Sequence, residues 1–330
     1  MNSSQQSRLL LTSRATWADA EARALRRKVE TGEVSRLRRG VMQPKVEPLG
    51  SLPWDQRPHE ARQRYLDRAV AVGETRRRDV VFSHVTALAI LGLPILDLWP
   101  SAIDILEPVT SARRSKRGVV VHRSEFDADD LLEWEGFYVT NVARTIADLA
   151  RDGDAMSTVV ALDHALGPRA VPAQAVTKDE VRALVDAQGR WGRARAFELI
   201  DFADARSGSP GESGSRVLFS ELGFEVPELQ VRHHLPDGRF YDSDFKWKRS
   251  RSGRPLIGEF DGLGKYLKEE YLSGMSSGQA VVKEKRREDA LRALDGSDFM
   301  RWGMPELRRP VLLRALANQH GVPRAPRRPK

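Results

Sequence analysis

The stretch YDSDFKWKRSRSGRPLIGEFDGLGK, residues 241–265, predicts two short strands joined by a basic hairpin. Successive side chains of a strand point to opposite faces, so Asp244 lies on the face opposite to the aromatic residues of the first strand. Glu259 and Asp261 fall together on one side of the second strand. Carboxylates on neighbouring strands repel one another unless a cation neutralises them. Mg²⁺ is a hard ion that prefers oxygen ligands, so the stretch predicts a site for Mg²⁺ or Mn²⁺.

Solvation is the alternative explanation for these acids, because acidic residues at strand ends are usually exposed to water. The surroundings of Glu259 favour the metal site. The apolar run Pro-Leu-Ile-Gly before it predicts a central strand, where a free carboxylate is costly. Gly262 lets a loop approach closely, and Lys265 supplies a cation nearby.

The composition of the chain bounds its class. Its 330 residues suffice for two or three domains, and its formal net charge of +8 suits a polyanionic partner such as DNA. A GC-rich genome, which favours arginine codons, is the alternative source of that charge. The absence of cysteine excludes disulfides, zinc–thiolate clusters and thiol catalysis. The sequence has no signal-peptide core and no apolar run of about 20 residues, which predicts a cytoplasmic protein without membrane association.

Residues 1–46 predict a small winged-helix DNA-binding unit. A helix over residues 19–30 carries a basic surface that includes Arg26 and Arg27, and Gly32 ends it. The following residues 33–42 alternate around a glycine, as the wing of a winged helix does. This wing would direct three arginines at phosphates: Arg36, Arg38 and Arg39. The alternative is an ordinary surface helix with a basic face.

Residues 59–205 predict a mixed α/β module, separated from the first unit by the proline-rich residues 44–58. Short strands and amphipathic helices alternate there, including an apolar helix over residues 79–93. His84 in that helix is predicted to be a buried, hydrogen-bonded histidine, because no acidic residue or second histidine lies at helical spacing. The module offers no catalytic set and is interpreted as a packed scaffold.

Residues 207–322 predict a third domain with the element order αβββαβ, and residues 323–330 predict a disordered tail. The first helix is expected over residues 216–222, with Glu212 at its N-terminal end. The alternative to a functional role is that the helix dipole stabilises a carboxylate at this position. The predicted fold class is therefore a multidomain α+β and α/β chain.

The last domain resembles the PD-(D/E)XK nuclease superfamily, and within it the Vsr-like endonucleases. The segments that carry the resemblance are GESGSR, SDF, GEFDGLGKY, EKRREDALRAL and MRW, in that order, over roughly residues 207–307. The segment LRRKVETGEVSRLRRGVM resembles the winged helix of AbiEi-type antitoxins, and VTNVARTIADLA resembles the module that follows it. The resemblance implies a restriction-endonuclease-like C-terminal domain behind an AbiEi-like region.

The resemblance also implies roles for single residues. Asp244 and Glu259 would hold Mg²⁺ or Mn²⁺, and Glu212 would reach the ion directly or through water. Lys265 would sit near the attacking water. Two cations of the following helix, Lys285 and Arg287, could meet the scissile phosphate. Phosphodiester hydrolysis needs metal-bound carboxylates to generate hydroxide and a cation to offset the developing charge.

Two departures from the family pattern leave two functions open. The third-strand motif usually ends in lysine, where this chain has Asp261, and Lys265 stands where Vsr-like members often have histidine. Asp261 is then either a further metal ligand or a sign that the fold persists without catalysis. The first case predicts a DNA endonuclease in phage defence or repair. The second predicts a non-enzymatic, antitoxin-like transcriptional regulator with DNA, and a cognate toxin or other defence protein, as partners.

Overall fold

The computed structural model describes residues 9–11, 19–76, 79–116, 118–262 and 277–326. The chain divides into two compact units. The first comprises residues 1–161 and 171–201, and the second comprises residues 162–170 and 202–330. None of the helices in these described ranges combines the length and the apolar character that a bilayer crossing requires.

The N-terminal part of the first unit is one helix against a small antiparallel sheet. Its elements are β1 (Leu10–Leu11), α1 (Asp19–Glu30), β2 (Val34–Arg38) and β3 (Val41–Pro44), with strand order β1-β3-β2. The helix and the alternating hairpin lie where the sequence predicts them. Leu9 and Val41 belong to the same buried cluster as Tyr65 and Phe82. The residues before and after the proline-rich segment 44–58 therefore share one hydrophobic core. The sequence analysis instead predicted separate domains over residues 1–46 and 59–205.

The remainder of the first unit surrounds a five-stranded mixed sheet with order β6-β5-β4-β8-β7. Its strands are β4 (Val81–Phe82), β5 (Ile103–Glu107), β6 (Val119–Arg123), β7 (Leu131–Trp134) and β8 (Phe137–Thr140). Its helices are α2 (Arg57–Thr75), α3 (His84–Leu91), α4 (Val142–Asp152), α5 (Ala155–Leu166), α6 (Lys178–Ala187) and α7 (Arg193–Phe202). The last five residues of α5 and the last residue of α7 belong to the second unit.

The predicted helix over residues 79–93 is wrong in its first third. Val81 and Phe82 form the central strand of the sheet, and α3 begins only at His84. Both strand residues are buried, at 7% and 0% exposure. A strand that is enclosed on both faces is apolar throughout and does not show the alternation of a half-buried strand. A short apolar run cannot be assigned to helix or strand by periodicity alone.

The second unit is built on a four-stranded sheet with order β12-β11-β10-β9. Its elements in chain order are α8 (Pro210–Glu221), β9 (Glu228–His234), β10 (Phe240–Trp247), β11 (Leu256–Asp261), α9 (Ser277–Asp295), β12 (Asp298–Gly303), α10 (Met304–Arg308) and α11 (Pro310–Gln319). The first three strands are antiparallel neighbours, and β12 runs parallel to β11. The predicted order αβββαβ is present, followed by two helices that the sequence analysis did not anticipate.

An aromatic core fixes one face of this sheet. Phe245 and Trp247 are 0% and 1% exposed, and Trp302 packs against both of them. Gly258 is required beneath them, because a Cβ there would lie 2.8 Å from the Trp302 ring. Residues 323–326 are also ordered, since the backbone N–H of Ala325 donates to the carbonyl of Gly223. The predicted disordered tail is therefore wrong for residues 323–326.

Candidate functional site

Two buried acids lie on neighbouring strands of the second unit. The register of the antiparallel pair β10–β11 ends with Phe245 opposite Gly258, and Asp244 and Glu259 are the next residues of the two strands. The strands part at this point, and Asp244 Oδ2 accepts a hydrogen bond of 3.0 Å from the backbone N–H of Phe260. Asp244 is 8% exposed and Glu259 is 4% exposed. Both carboxylates are thus held away from bulk water.

Glu212 joins this region from the first turn of α8. The helix begins at Pro210 rather than near residue 216, because Ser209 caps it and proline suits its first position. The carboxylate accepts hydrogen bonds from Gly208 N at 2.6 Å, Ser209 Oγ at 2.9 Å and Gln230 Nε2 at 2.8 Å. Three donors therefore orient a side chain that is 3% exposed.

Electrostatics couple Glu212 to Asp244. Burial raises the pKa of Glu212, the negative charge of Asp244 raises it further, and its hydrogen-bond donors act in the opposite direction. The donor Gln230 has a backbone φ of 48°, in the left-handed region that non-glycine residues rarely adopt. Such strain is often found at functional sites. A cation between the two carboxylates would relieve their repulsion.

Arginines contact the remaining acids of the predicted site. Arg287 Nη2 lies 2.8 Å from Glu259 Oε1, and Arg301 Nη1 lies 3.5 Å from Asp261 Oδ1. Arg301 also contacts Glu288 at 2.8 Å, so Asp261 and Glu288 share one guanidinium.

The oxygen ligands suit Mg²⁺ in chemical type, but they are not closely gathered. Within the described ranges, no three of the acids Glu212, Asp244, Glu259 and Asp261 bring one oxygen each within 4.8 Å of one another. Glu259 would have to exchange the Arg287 guanidinium for an ion. The pair Glu212 and Asp244 is therefore the part of the site that fits Mg²⁺ best as it stands.

The other predicted site residues are distributed as follows. Lys285 is exposed on α9, whereas Arg287 is half-buried and also donates to the Asp242 carbonyl at 3.2 Å. Lys265 lies outside the described residues.

The N-terminal arginines form a basic surface on α1 and the β2–β3 hairpin. Arg26 and Arg27 are exposed on the helix, and Arg36 and Arg39 are exposed on the hairpin. Arg38 is half-buried, so it is less available to a partner than the sequence analysis expected. In the described ranges, none of the four exposed arginines forms an ion pair with a carboxylate. Unpaired surface guanidinium groups are available for phosphate oxygens.

A cluster of two histidines and one aspartate in the first unit was missed by the sequence analysis. His84 Nε2 lies 2.7 Å from Asp152 Oδ1, and His122 Nδ1 lies 3.6 Å from Asp152 Oδ2. The three residues come from α3, β6 and the end of α4, so no local spacing could have revealed them. His84 is buried and hydrogen-bonded, as predicted, but its partners are remote in the chain.

Carboxylates keep His122 charged near neutral pH. Burial alone would lower the pKa of His122, but hydrogen bonds and negative charge from Asp104 and Asp152 outweigh burial and raise it to about 9. Burial likewise favours the neutral form of Asp152, and hydrogen bonds with both imidazoles reverse this and hold its pKa well below the usual range. The cluster is thus a coupled, charged group inside the fold.

Comparisons with known proteins give similarities to uncharacterized mycobacterial proteins and to a solved structure. No protein-family profile matches the chain. The uncharacterized proteins MT2308 and Rv2248, from two strains of Mycobacterium tuberculosis, are each 30% identical to it over 163 residues, which is 49% of this chain and 56% of each relative. The chain therefore spans about half the length of the curated relatives it matches. Among solved structures, the RV2827C protein from Mycobacterium tuberculosis aligns at 17% identity and a TM-score of 0.35, over 67% of this chain and 78% of that one.

Proposed function

We propose that the second unit is a metal-dependent DNA endonuclease and that the N-terminal basic surface holds the DNA. The observation that carries the proposal is the burial of Asp244 and Glu259 next to the end of the β10–β11 pairing, with the buried Glu212 coupled electrostatically to Asp244. Buried carboxylates with perturbed pKa values are common at catalytic sites. The surface arginines of α1 and of the β2–β3 hairpin suit phosphate contacts along a duplex.

The acids and cations would have separate tasks in phosphodiester hydrolysis. Glu212, Asp244 and Glu259 would hold Mg²⁺ or Mn²⁺, which when bound lowers the pKa of water and neutralises charge on the phosphoryl oxygens. Gln230 orients Glu212 through its hydrogen bond of 2.8 Å. Arg287, once released from Glu259, would donate to the scissile phosphate and offset the charge that develops there.

A non-enzymatic DNA-binding regulator, in a toxin–antitoxin or phage-defence setting, is the second candidate. The ion pair between Arg287 and Glu259 favours it, because this guanidinium already supplies the positive charge that a metal would bring. Arg301 likewise supplies positive charge next to Asp261, another acid of the predicted site. In this case the acids stabilise the fold and the arginines bind DNA or a partner protein.

Plasmid nicking distinguishes the two candidates. The variants Asp244→Asn and Glu259→Gln are compared with wild type in Mg²⁺ and in Mn²⁺. The matched control is Asp242→Asn, which changes an exposed acid of the same strand that is paired with Arg232 at 2.8 Å. DNA affinity of every protein is measured in Ca²⁺, so that a binding defect is separated from a cleavage defect.

The endonuclease proposal expects Asp244→Asn and Glu259→Gln to lose nicking and keep DNA binding, while the control keeps both. Equal nicking by all four proteins would show a contaminating nuclease and overturn the assignment of the site. DNA binding by wild type without nicking in either metal would support the regulator instead.

A further inference from the structure

We propose a transition-metal site in the first unit, formed by His84, His122 and Asp152. One ring nitrogen of each histidine and one oxygen of Asp152 lie within 4.8 Å of one another. Among the described residues, this is the only group of three or more His, Asp or Glu side chains with that property. Two imidazole nitrogens with a carboxylate suit Zn²⁺, Co²⁺ or Ni²⁺ better than Mg²⁺.

Hydrogen bonds outside the cluster direct both imidazoles at its centre. His122 Nε2 lies 3.0 Å from Asp104 Oδ1, which leaves Nδ1 facing Asp152. His84 Nδ1 lies 3.0 Å from Ser83 Oγ, which leaves Nε2 facing the same carboxylate. Metal-binding histidines in proteins almost always bond their second nitrogen in this way, and the outer partner fixes the orientation of the ring.

Asp148 provides independent support for a cation at this place. Its Oδ1 accepts hydrogen bonds of 2.9 Å from Arg144 Nε and from Gln188 Nε2. Its Oδ2 is buried and has no hydrogen-bond partner, although the residue is only 4% exposed. A buried carboxylate oxygen without a partner costs free energy, and a bound cation removes that cost.

An open cavity gives an ion access to these groups. A cavity of about 620 Å³ is lined by the three proposed ligands and by Asp148. Three arginines also line it, and each has partners: Arg123 donates to the carbonyls of Ser111 and Arg113, Arg144 to Asp130, Asp148 and the carbonyl of Glu125, and Arg151 to the carbonyls of Val185, Gln188 and Gly189. None of these arginine hydrogen bonds goes to His84, His122 or Asp152, so the proposed ligands are not occupied by them.

Metal binding would change the arrangement of the two rings. The imidazoles of His84 and His122 stack with centroids 3.5 Å apart and planes 15° apart. A metal ion lies close to the plane of an imidazole that binds it, so the stack must open when both rings coordinate one ion. His84 has a backbone φ of 49°, in the left-handed region, and strained residues of this kind are often found at functional sites.

Cobalt titration tests the site directly. Untagged full-length protein is stripped with a chelator and titrated with Co²⁺, and the visible d–d absorption and the proton signals of the imidazoles are followed. The ligand variants are His84→Asn and Asp152→Asn. Asp104→Asn tests the outer partner of His122, and His59→Asn, on α2 and outside the cluster, is the matched control.

The proposal expects one equivalent of Co²⁺ to give an absorption spectrum distinct from that of the hydrated ion, and Zn²⁺ to displace it. Each ligand variant should bind at least about tenfold more weakly, and Asp104→Asn should bind about 10- to 100-fold more weakly. Circular dichroism shows which variants remain folded. The site is overturned if wild type gives only the spectrum of the hydrated ion, or if folded His84→Asn and Asp152→Asn both bind as the control does.

Discussion

Gln230 donates a hydrogen bond of 2.8 Å to Glu212 from a backbone with φ of 48°. Glycine adopts this left-handed conformation freely, whereas an L-residue with a Cβ pays about 1–2 kcal/mol for it. The backbone strain of Gln230 and its hydrogen bond to Glu212 have opposite effects on stability. Substitutions of Gln230 can measure the two effects separately.

The first prediction compares Gln230→Ala with Gln230→Gly. Both variants remove a hydrogen-bond donor from Glu212, and each should lower the free energy of unfolding by about 1–3 kcal/mol. Only glycine relieves the backbone, so Gln230→Gly should be more stable than Gln230→Ala by about 1 kcal/mol. Urea denaturation measures the difference. A glycine variant no more stable than the alanine variant would contradict the strain.

The second prediction concerns the ion pair between Arg287 and Glu259. Arg287→Gln removes a guanidinium from a carboxylate whose side chain is 6% exposed, and should cost about 1–3 kcal/mol without divalent ions. If the acids bind Mg²⁺, the ion should restore stability, by about 2.7 kcal/mol at 100 times its dissociation constant.

Arg292→Gln is the matched control for that experiment, because Arg292 lies on the same helix with a half-exposed side chain paired to Glu288. Thermal melts with and without Mg²⁺ measure the effect. Equal Mg²⁺ responses of the two variants would argue that Glu259 does not exchange Arg287 for a metal.

The third prediction tests the contact that places α8 against β11. A Cβ on Gly211 would lie 2.0 Å from Phe260 Cε1, so Gly211→Ala should destabilise the protein by about 1–3 kcal/mol. Gly50→Ala, which meets nothing within 4 Å, is the control. Adding Phe260→Leu to Gly211→Ala should recover part of the loss. Strict additivity of the two substitutions would show that they do not touch.

The fourth prediction concerns DNA binding by α1. Replacing Arg26 and Arg27 with glutamine should weaken binding to a fragment from upstream of the coding sequence. If each arginine neutralises one phosphate, the slope of log affinity against log salt should fall by about two. Arg193→Gln is the control, because Arg193 is engaged by Asp186 at 2.8 Å. An unchanged salt slope in the double variant would place the DNA elsewhere.

The fifth prediction is a pH dependence of stability from His233. Burial lowers its pKa, the positive charge of Lys246 lowers it further, and Asp295 opposes this; Arg287 and Asp242 also face the ring. The unfolded chain therefore takes up a proton near pH 6.5 that the folded chain does not, so stability falls as the pH drops below that value.

The variant His233→Gln removes this titration. Its free energy of unfolding should change less than that of wild type between about pH 7.5 and about pH 5.5. Urea denaturation across this range gives the comparison. Identical pH profiles for the two proteins would show that His233 does not contribute.

Element positions were predicted well wherever periodicity and capping chemistry are local. The helix over residues 19–30 and the strands around Asp244 and Glu259 agree with the structure because each pattern extends over a whole element. The helix expected at residue 216 begins at Pro210, because the Ser209 cap and the proline lie in a stretch of small residues whose composition is also typical of a linker. The strand at Val81–Phe82 was missed because burial on both faces removes any period.

The alternation of side chains along a strand is a local property, so the shared face of Glu259 and Asp261 could be stated before any fold was known. The arginine partners of those acids could not be predicted in this way, because Arg287 and Arg301 come from later elements of the chain. The cluster of His84, His122 and Asp152 depends still more on the fold. His84 and Asp152 are 68 residues apart, and only the order of strands in the sheet and the packing of α3 against α4 bring their side chains to 2.7 Å.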